Sequence, residues 1–157
     1  MNPEPDKQGA AVKVPPPLIV LSFLLLAYAL NYLVPFRIAH SPVLVFAGFI
    51  LVGISLLIIG ITAWSFRRLK THIEPWKPTT TIITTGCFAV SRNPIYLALC
   101  VACLGIGMIL HNWWMVFSVI PAAMLLDHFV IAREEAYLEK KFGEAYVQYK
   151  ARVRRWL

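Results

Sequence analysis

The sequence predicts an all-α integral membrane protein with about four transmembrane helices and a C-terminal amphipathic helix. Three observations predict it. Of the 157 residues, 59% are hydrophobic and 15% are charged, against about 45–50% and about 25% in soluble domains. Uncharged runs cover 14–36, 38–66 and 95–126, each long enough for the roughly 20 helical residues that a bilayer core requires. The remaining charges gather in the segments between those runs, as they do in membrane proteins. This composition excludes a disordered chain, and three cysteines in so apolar a sequence exclude a disulfide-stapled secreted scaffold. The formal net charge of +7 is accounted for by topology and anionic lipid. The expected partner is therefore the lipid bilayer and not nucleic acid.

Residues 1–13 are polar and carry Pro3, Pro5, Lys7 and Lys13. They read as a mobile tail, and 14–157 read as a single membrane-embedded domain. Pro15, Pro16 and Pro17 open the first run and leave Leu18–Val34 to form the first span. Ala27-Tyr28-Ala29 resembles a signal-peptidase site, but the apolar run continues to Phe36, which favours an uncleaved span. The second span falls within 38–66, where Gly48, Gly53 and Gly60 offer a small-residue surface for packing within or between chains.

The third run is too long for one span. His111-Asn112 lies near its middle, and Trp113-Trp114 suits the headgroup level. The run therefore divides into spans of about 94–110 and 113–132, and Asp127 and His128 fall inside the last. Between the second and third spans lies a polar loop, 67–94, with Pro75, Pro78 and Thr79-Thr80-Thr81. It exceeds a simple turn, and loops of this length are often functional. From Arg133 onward, Leu138, Phe142, Tyr146, Tyr149, Val153 and Trp156 recur at intervals of three or four. Lys140, Lys141, Lys150, Arg152, Arg154 and Arg155 lie among the positions between them. That pattern predicts an amphipathic helix in the interface with its basic face toward lipid phosphates.

Four spans place the tail, the 67–94 loop and the C-terminal region on one side. That side carries fourteen of the fifteen Lys and Arg residues, and Arg37 alone lies on the other. Both termini are accordingly expected in the cytoplasm.

Two short segments carry candidate chemistry. In Ser91-Arg92-Asn93-Pro94, Asn is a favoured N-cap and Pro a favoured first helical residue. A helix N-terminus beside an arginine suits a carboxylate or phosphate. Glu134-Glu135 follows the fourth span. Adjacent helical residues point about 100° apart, so one of the two faces a given pocket. A hairpin of the third and fourth spans brings Arg92 and Asn93 toward these carboxylates, a setting suited to a zwitterionic ligand with a cationic part. Gly105-x-Gly107 and Cys100-x-x-Cys103 read as small packing residues, and no metal site is expected. His72 reads as a solvated histidine.

These residues, taken in order, resemble a known family. The carrying segments are 82–88 (Ile-Ile-Thr-Thr-Gly-Cys-Phe), 91–96 (Ser-Arg-Asn-Pro-Ile-Tyr), 134–138 (Glu-Glu-Ala-Tyr-Leu), 142–149 (Phe-Gly-Glu-Ala-Tyr-Val-Gln-Tyr) and 153–156 (Val-Arg-Arg-Trp). Together they resemble the isoprenylcysteine carboxyl methyltransferases, which belong with the membrane phospholipid methyltransferases. The resemblance covers roughly 70–157. It implies an integral-membrane enzyme using S-adenosyl-L-methionine. It also implies a cofactor site of Thr84, Gly86, Arg92, Asn93, Pro94, Tyr96, Glu134 and Glu135, with Arg92 and Glu135 as the catalytic residues. Cys87, Phe88 and Ala98 stand where the family usually has Pro, Tyr and Gly, and Asn93 is a common variant of His. The implied acceptor is an amphiphile entering from the membrane, with carboxyl O-methylation favoured. Amine or thiol methylation of a phospholipid or small amphiphile is the alternative. A nicotinamide-dependent membrane reductase, to which the C-terminal region is also related, and a non-catalytic membrane protein are the further readings.

Overall fold

The computed structural model describes residues 9–12 and 14–157, so most of the tail expected over 1–13 lies outside the described residues. Among the described residues six α-helices follow one another: α1 (Pro16–Leu33), α2 (Pro42–Arg68), α3 (Pro94–Ile109), α4 (Trp113–Leu125), α5 (Ala132–Phe142) and α6 (Glu144–Arg152). A 3₁₀ turn occupies Gly86–Ala89 and a π-helical stretch Leu126–Ile131. Among the described residues there is no strand, only an isolated bridge between Arg37 and Asn112. The all-α expectation is met.

Pro16–Leu33, Pro42–Arg68 and the continuous helix Trp113–Phe142 are long and apolar enough to cross a membrane. The remaining expected span, α3, has 16 residues; at 1.5 Å per residue it reaches about 24 Å, against a hydrocarbon core of about 30 Å. Leu25, Leu26, Phe46, Leu56, Leu57 and Met124 are each more than half exposed. An apolar helix surface of this extent requires lipid as its solvent. The protein is integral to a membrane.

The chain divides into two compact units. One comprises 14–59 and 95–126 and is an apolar helical bundle. Within it α1 packs on α4, and small residues such as Ala27, Ala98, Cys103 and Ala122 fill the buried faces. Two glycines make a close helix approach. A Cβ on Gly48 would lie 2.7 Å from the Gly105 carbonyl oxygen, and one on Gly105 would lie 2.6 Å from the Gly48 oxygen. The α2 and α3 backbones touch there because neither position carries a side chain.

The turn expected at His111-Asn112 is where α3 and α4 separate. The Asn112 side chain caps α4 by accepting from the Met115 N–H at 3.2 Å. Trp114 donates from Nε1 to the Val34 carbonyl at 2.9 Å. Phe36 stacks on Phe117 and lies edge-on to Trp114. His40 Nδ1 and His111 Nε2 share a hydrogen bond of 3.0 Å. These contacts tie together the two short connections of the bundle.

The second unit contains 60–94 and 127–157, with the segment Gly9–Val12. Here the structure departs from the expectation of one amphipathic helix starting at Arg133. The fourth span runs without interruption through the π-helical stretch into α5. Gly143 then breaks the helix at φ +54°, a left-handed conformation suited to glycine. The basic C-terminal region is thus split into α5 and α6.

Gly105→Ala places a methyl group against the Gly48 carbonyl and should cost about 1–3 kcal/mol by overpacking. The expected readout is a lowered thermal midpoint in detergent. Gly53→Ala, where an added Cβ meets nothing within 4 Å, should leave the midpoint unlowered.

Candidate active site

The site is built where the chain beyond α6 returns to the start of α3. The Arg92 N–H donates to the Arg154 carbonyl at 3.0 Å. The Arg155 carbonyl accepts from Asn93 Nδ2 at 3.0 Å and from Ser91 Oγ at 3.3 Å. Ser91 Oγ in turn accepts from the Asn93 N–H at 3.1 Å. Ser91 and Asn93 are buried, so these bonds satisfy groups that water does not reach.

This pairing fixes Arg155, whose guanidinium turns inward. Nε and Nη2 donate to the two Glu135 oxygens at 3.1 and 2.6 Å, a bidentate fork. Nη1 donates to Asp127 Oδ2 at 2.9 Å, and Trp156 Nε1 donates to Asp127 Oδ1 at 3.1 Å. Glu135 and Asp127 hold the Arg155 pKa above its ordinary value, against the opposing cost of burial. Arg155 was expected on a basic face toward lipid phosphates; its charge is instead spent on two carboxylates of its own chain.

Glu135 is only 5% exposed and has a second cation beside it. Arg92 Nη1 lies 3.0 Å from Glu135 Oε1. Arg92 Nε and Nη1 are buried without a hydrogen-bond partner, so the contact with Glu135 is an ion pair and not an aligned hydrogen bond. The Arg92 side chain is 9% exposed.

The π-helical stretch sets this register. Asp127 and Glu135 are eight residues apart. In a regular α-helix of 3.6 residues per turn that spacing leaves them about 80° out of line. One wider turn of about 4.4 residues, followed by one α turn, brings them back onto one face. Arg155 reaches both.

Beside this cluster lies a cleft that is partly open to solvent. Phe66, Ile73, Ile82, Ile83, Phe88 and Leu138 form its apolar walls. Arg92, Asn93, Glu134, Glu135, Tyr146 and Tyr149 supply polar groups, and His72, Glu74, Thr79, Thr81 and Tyr137 come from the long loop and α5. Apolar walls with a few convergent polar groups fit a small-molecule site. Tyr149 donates its phenol to the Phe88 carbonyl at 2.7 Å, fastening α6 to the 3₁₀ turn. Burial, helped by the nearby Glu135 carboxylate, pushes the Tyr146 phenol up to about 12; burial likewise raises Tyr149. Both are neutral at physiological pH.

The structure brings Arg92, Asn93, Glu134 and Glu135 together around the cleft. Thr84 and Gly86 are exposed and do not line it. Gly86 has φ +63° and opens the 3₁₀ turn. Pro94 begins α3, and Tyr96 is buried on its first turn, in the apolar unit. Tyr146, Tyr149, Arg155 and Asp127 belong to the site or its support and were not singled out from the sequence. Their only signals were an acidic residue in an apolar span and aromatics on an otherwise ordinary amphipathic stripe.

Comparison with known proteins bears on this arrangement. Residues 36–145 match the family described as phospholipid methyltransferase. An uncharacterized protein of Haemophilus influenzae is 44% identical over 63 residues, covering 40% of this chain and 100% of its own. The protein-S-isoprenylcysteine O-methyltransferase of Schizosaccharomyces pombe is 33% identical over 89 residues, 55% of this chain. The chain spans 34% of that relative's length.

Glu135→Ala strips both guanidiniums of their shared carboxylate and leaves Arg92 as a buried charge. It should cost about 3–5 kcal/mol of stability. Arg155→Ala removes a side chain 35% exposed and, after solvent screening, should cost nearer about 1 kcal/mol. Chemical denaturation in detergent distinguishes the two. Tyr146 carries a pH prediction as well. Its folded pKa lies above the ordinary 10.0, so the stability it contributes is complete below pH 10 and is lost as pH rises through about 12. Tyr146→Phe should lessen the alkaline loss, Tyr149 keeping its own share, measured as the pH dependence of the thermal midpoint.

Proposed function

The chain belongs to the phospholipid methyltransferase family of membrane methyltransferases, and from that premise we propose that its cleft binds S-adenosyl-L-methionine and serves methylation of a lipid-like acceptor at the membrane. The observation that carries this reading is Arg92. Its guanidinium is buried in the cleft wall, and Nε and Nη1 have no hydrogen-bond partner. Buried unpaired donors are costly, and a ligand carboxylate supplies the missing acceptor. The donor when bound supplies an activated methyl group on a sulfonium. Glu134, also in the cleft wall, suits its ammonium, and the aromatic and aliphatic walls suit the adenosine.

Glu135 serves in this reading by fixing Arg92. Both its oxygens already face guanidiniums, which makes it ill suited to take a proton from an amine acceptor. A carboxylate acceptor has no proton to lose, and this favours O-methylation, as does the name of the fission yeast relative. Asn93 and Pro94 shape the α3 start, where Tyr96 follows, and Thr84 and Gly86 shape the approach through the 3₁₀ turn. The protein's contribution is positioning and exclusion of water. The charge distribution supports a cytoplasmic site with both termini on that side.

Membranes containing the protein should transfer label from methyl-labelled S-adenosyl-L-methionine to an endogenous acceptor, and matched membranes lacking it should not. Base-labile label identifies a methyl ester; base-stable label in the lipid extract identifies an amine or thiol acceptor and favours the phospholipid alternative. S-adenosylhomocysteine should raise the thermal midpoint in detergent, and Arg92→Ala should abolish that shift. A shift with a nicotinamide nucleotide alone overturns the reading in favour of a reductase, and no shift with either favours a non-catalytic protein.

A further inference from the structure

The segment Gly9–Val12 precedes the first helix and lies outside the residues matched to the family, yet it is built into the cleft. The Gly9 N–H donates to the Trp76 carbonyl at 3.2 Å, and the Ala10 N–H donates to the Pro75 carbonyl at 2.7 Å. From the first turn of α5, Arg133 Nη1 donates to the Ala11 carbonyl at 3.3 Å. Ala10 and Val12 are 7% and 5% exposed, and Ala10 lines the cleft.

Two features make this seat specific. A Cβ on Gly9 would lie 2.5 Å from the Lys77 carbonyl oxygen and 2.6 Å from that of Pro75, so the segment approaches the loop as only glycine allows. Ala11 has φ +53°, a conformation that residues with side chains rarely adopt and that surrounding contacts must hold.

We propose that Gly9–Val12 is a strap that closes the cleft over the bound methyl donor and sets how slowly the donor leaves; this rests on the donor-binding reading above. The strap joins two walls. It is hydrogen-bonded to the loop that supplies His72, Glu74 and Pro75 to the cleft, and to α5, which supplies Glu134. While it is seated, those walls are held together. Three hydrogen bonds hold it, each of modest net strength, so it opens reversibly without disturbing the Glu135 cluster. Closure of this kind commits a bound ligand and makes release a slow step.

The test uses full-length protein in detergent, loaded with methyl-labelled S-adenosyl-L-methionine without acceptor, and follows release after dilution into unlabelled donor. Gly9→Val blocks the close approach, and Arg133→Ala removes the α5 anchor from an exposed position. Trypsin cleavage at Lys13 reports whether the strap is freed. Both variants should release label about tenfold faster than the unaltered protein, since interaction changes of this kind appear mainly in dissociation rates. Each should be cut sooner and keep its ligand-free thermal midpoint. If Gly9→Val fails to fold, Arg133→Ala decides alone. Faster cleavage with unchanged release overturns the strap while leaving the donor site standing. Unchanged cleavage in both variants overturns the assignment of these contacts as what holds the segment. Failure of the unaltered protein to retain label overturns the donor reading and the strap with it.

Discussion

The polar unit depends on one carboxylate held between two guanidiniums. Glu135 is buried, forked by Arg155 and flanked by Arg92. Two acids and two bases balance, so Glu135 and Arg92 can lie buried while Arg155 and Asp127, each about a third exposed, complete a cluster without net charge. The balance is uneven in its bonding. Arg155 uses its N–H groups on Glu135 and Asp127, whereas Arg92 is neutralised by proximity while two of its buried nitrogens keep their hydrogen-bonding capacity. A buried ion cluster of this type is weak evidence for stability, since its desolvation cost is comparable to its attraction. Its stronger role here is orientation. It presents a charged donor group to a cleft in a fixed position, the preorganisation that binding and catalysis exploit.

That cluster rests on a departure from regular helix. The fourth span carries Pro121 and then the π-helical stretch before it becomes α5. Regular α geometry would turn Asp127 away from the face that bears Glu135. Single π turns are recurrently found at functional positions for this reason: one extra residue re-aims everything beyond it. Gly143 does the complementary work at the far end of α5. It folds α6 back so that Tyr146 and Tyr149 enter the cleft wall and Arg154–Arg155 reach the start of α3.

The apolar unit was legible because its determinants are local. Uncharged runs mark α1 to α4, and the Asn112 cap with its following tryptophans marks the α3–α4 turn. Arg92, Asn93, Glu134 and Glu135 were legible as short motifs. Arg155 was not, because it stands among Arg152 and Arg154 on a basic stripe and its partners lie 20 and 28 residues away. Tyr146 and Tyr149 satisfied the amphipathic spacing and so looked like ordinary interface residues. The π-helical stretch has no sequence signature beyond an acidic residue in an apolar span. Thr84 and Gly86 show the converse: their motif is local, and the structure places both at the exposed edge of a turn.

The position of Arg155 along the chain has a consequence for biosynthesis. The helices α1 to α4 precede it in the chain, so each is synthesised before the residue that clamps Glu135. Insertion and assembly of the cleft are thereby separated in time. A partly made chain already anchored in the membrane holds its carboxylates and its Arg92 without the clamp that orders them, and the cleft takes its final form only as the segment bearing Arg155 docks.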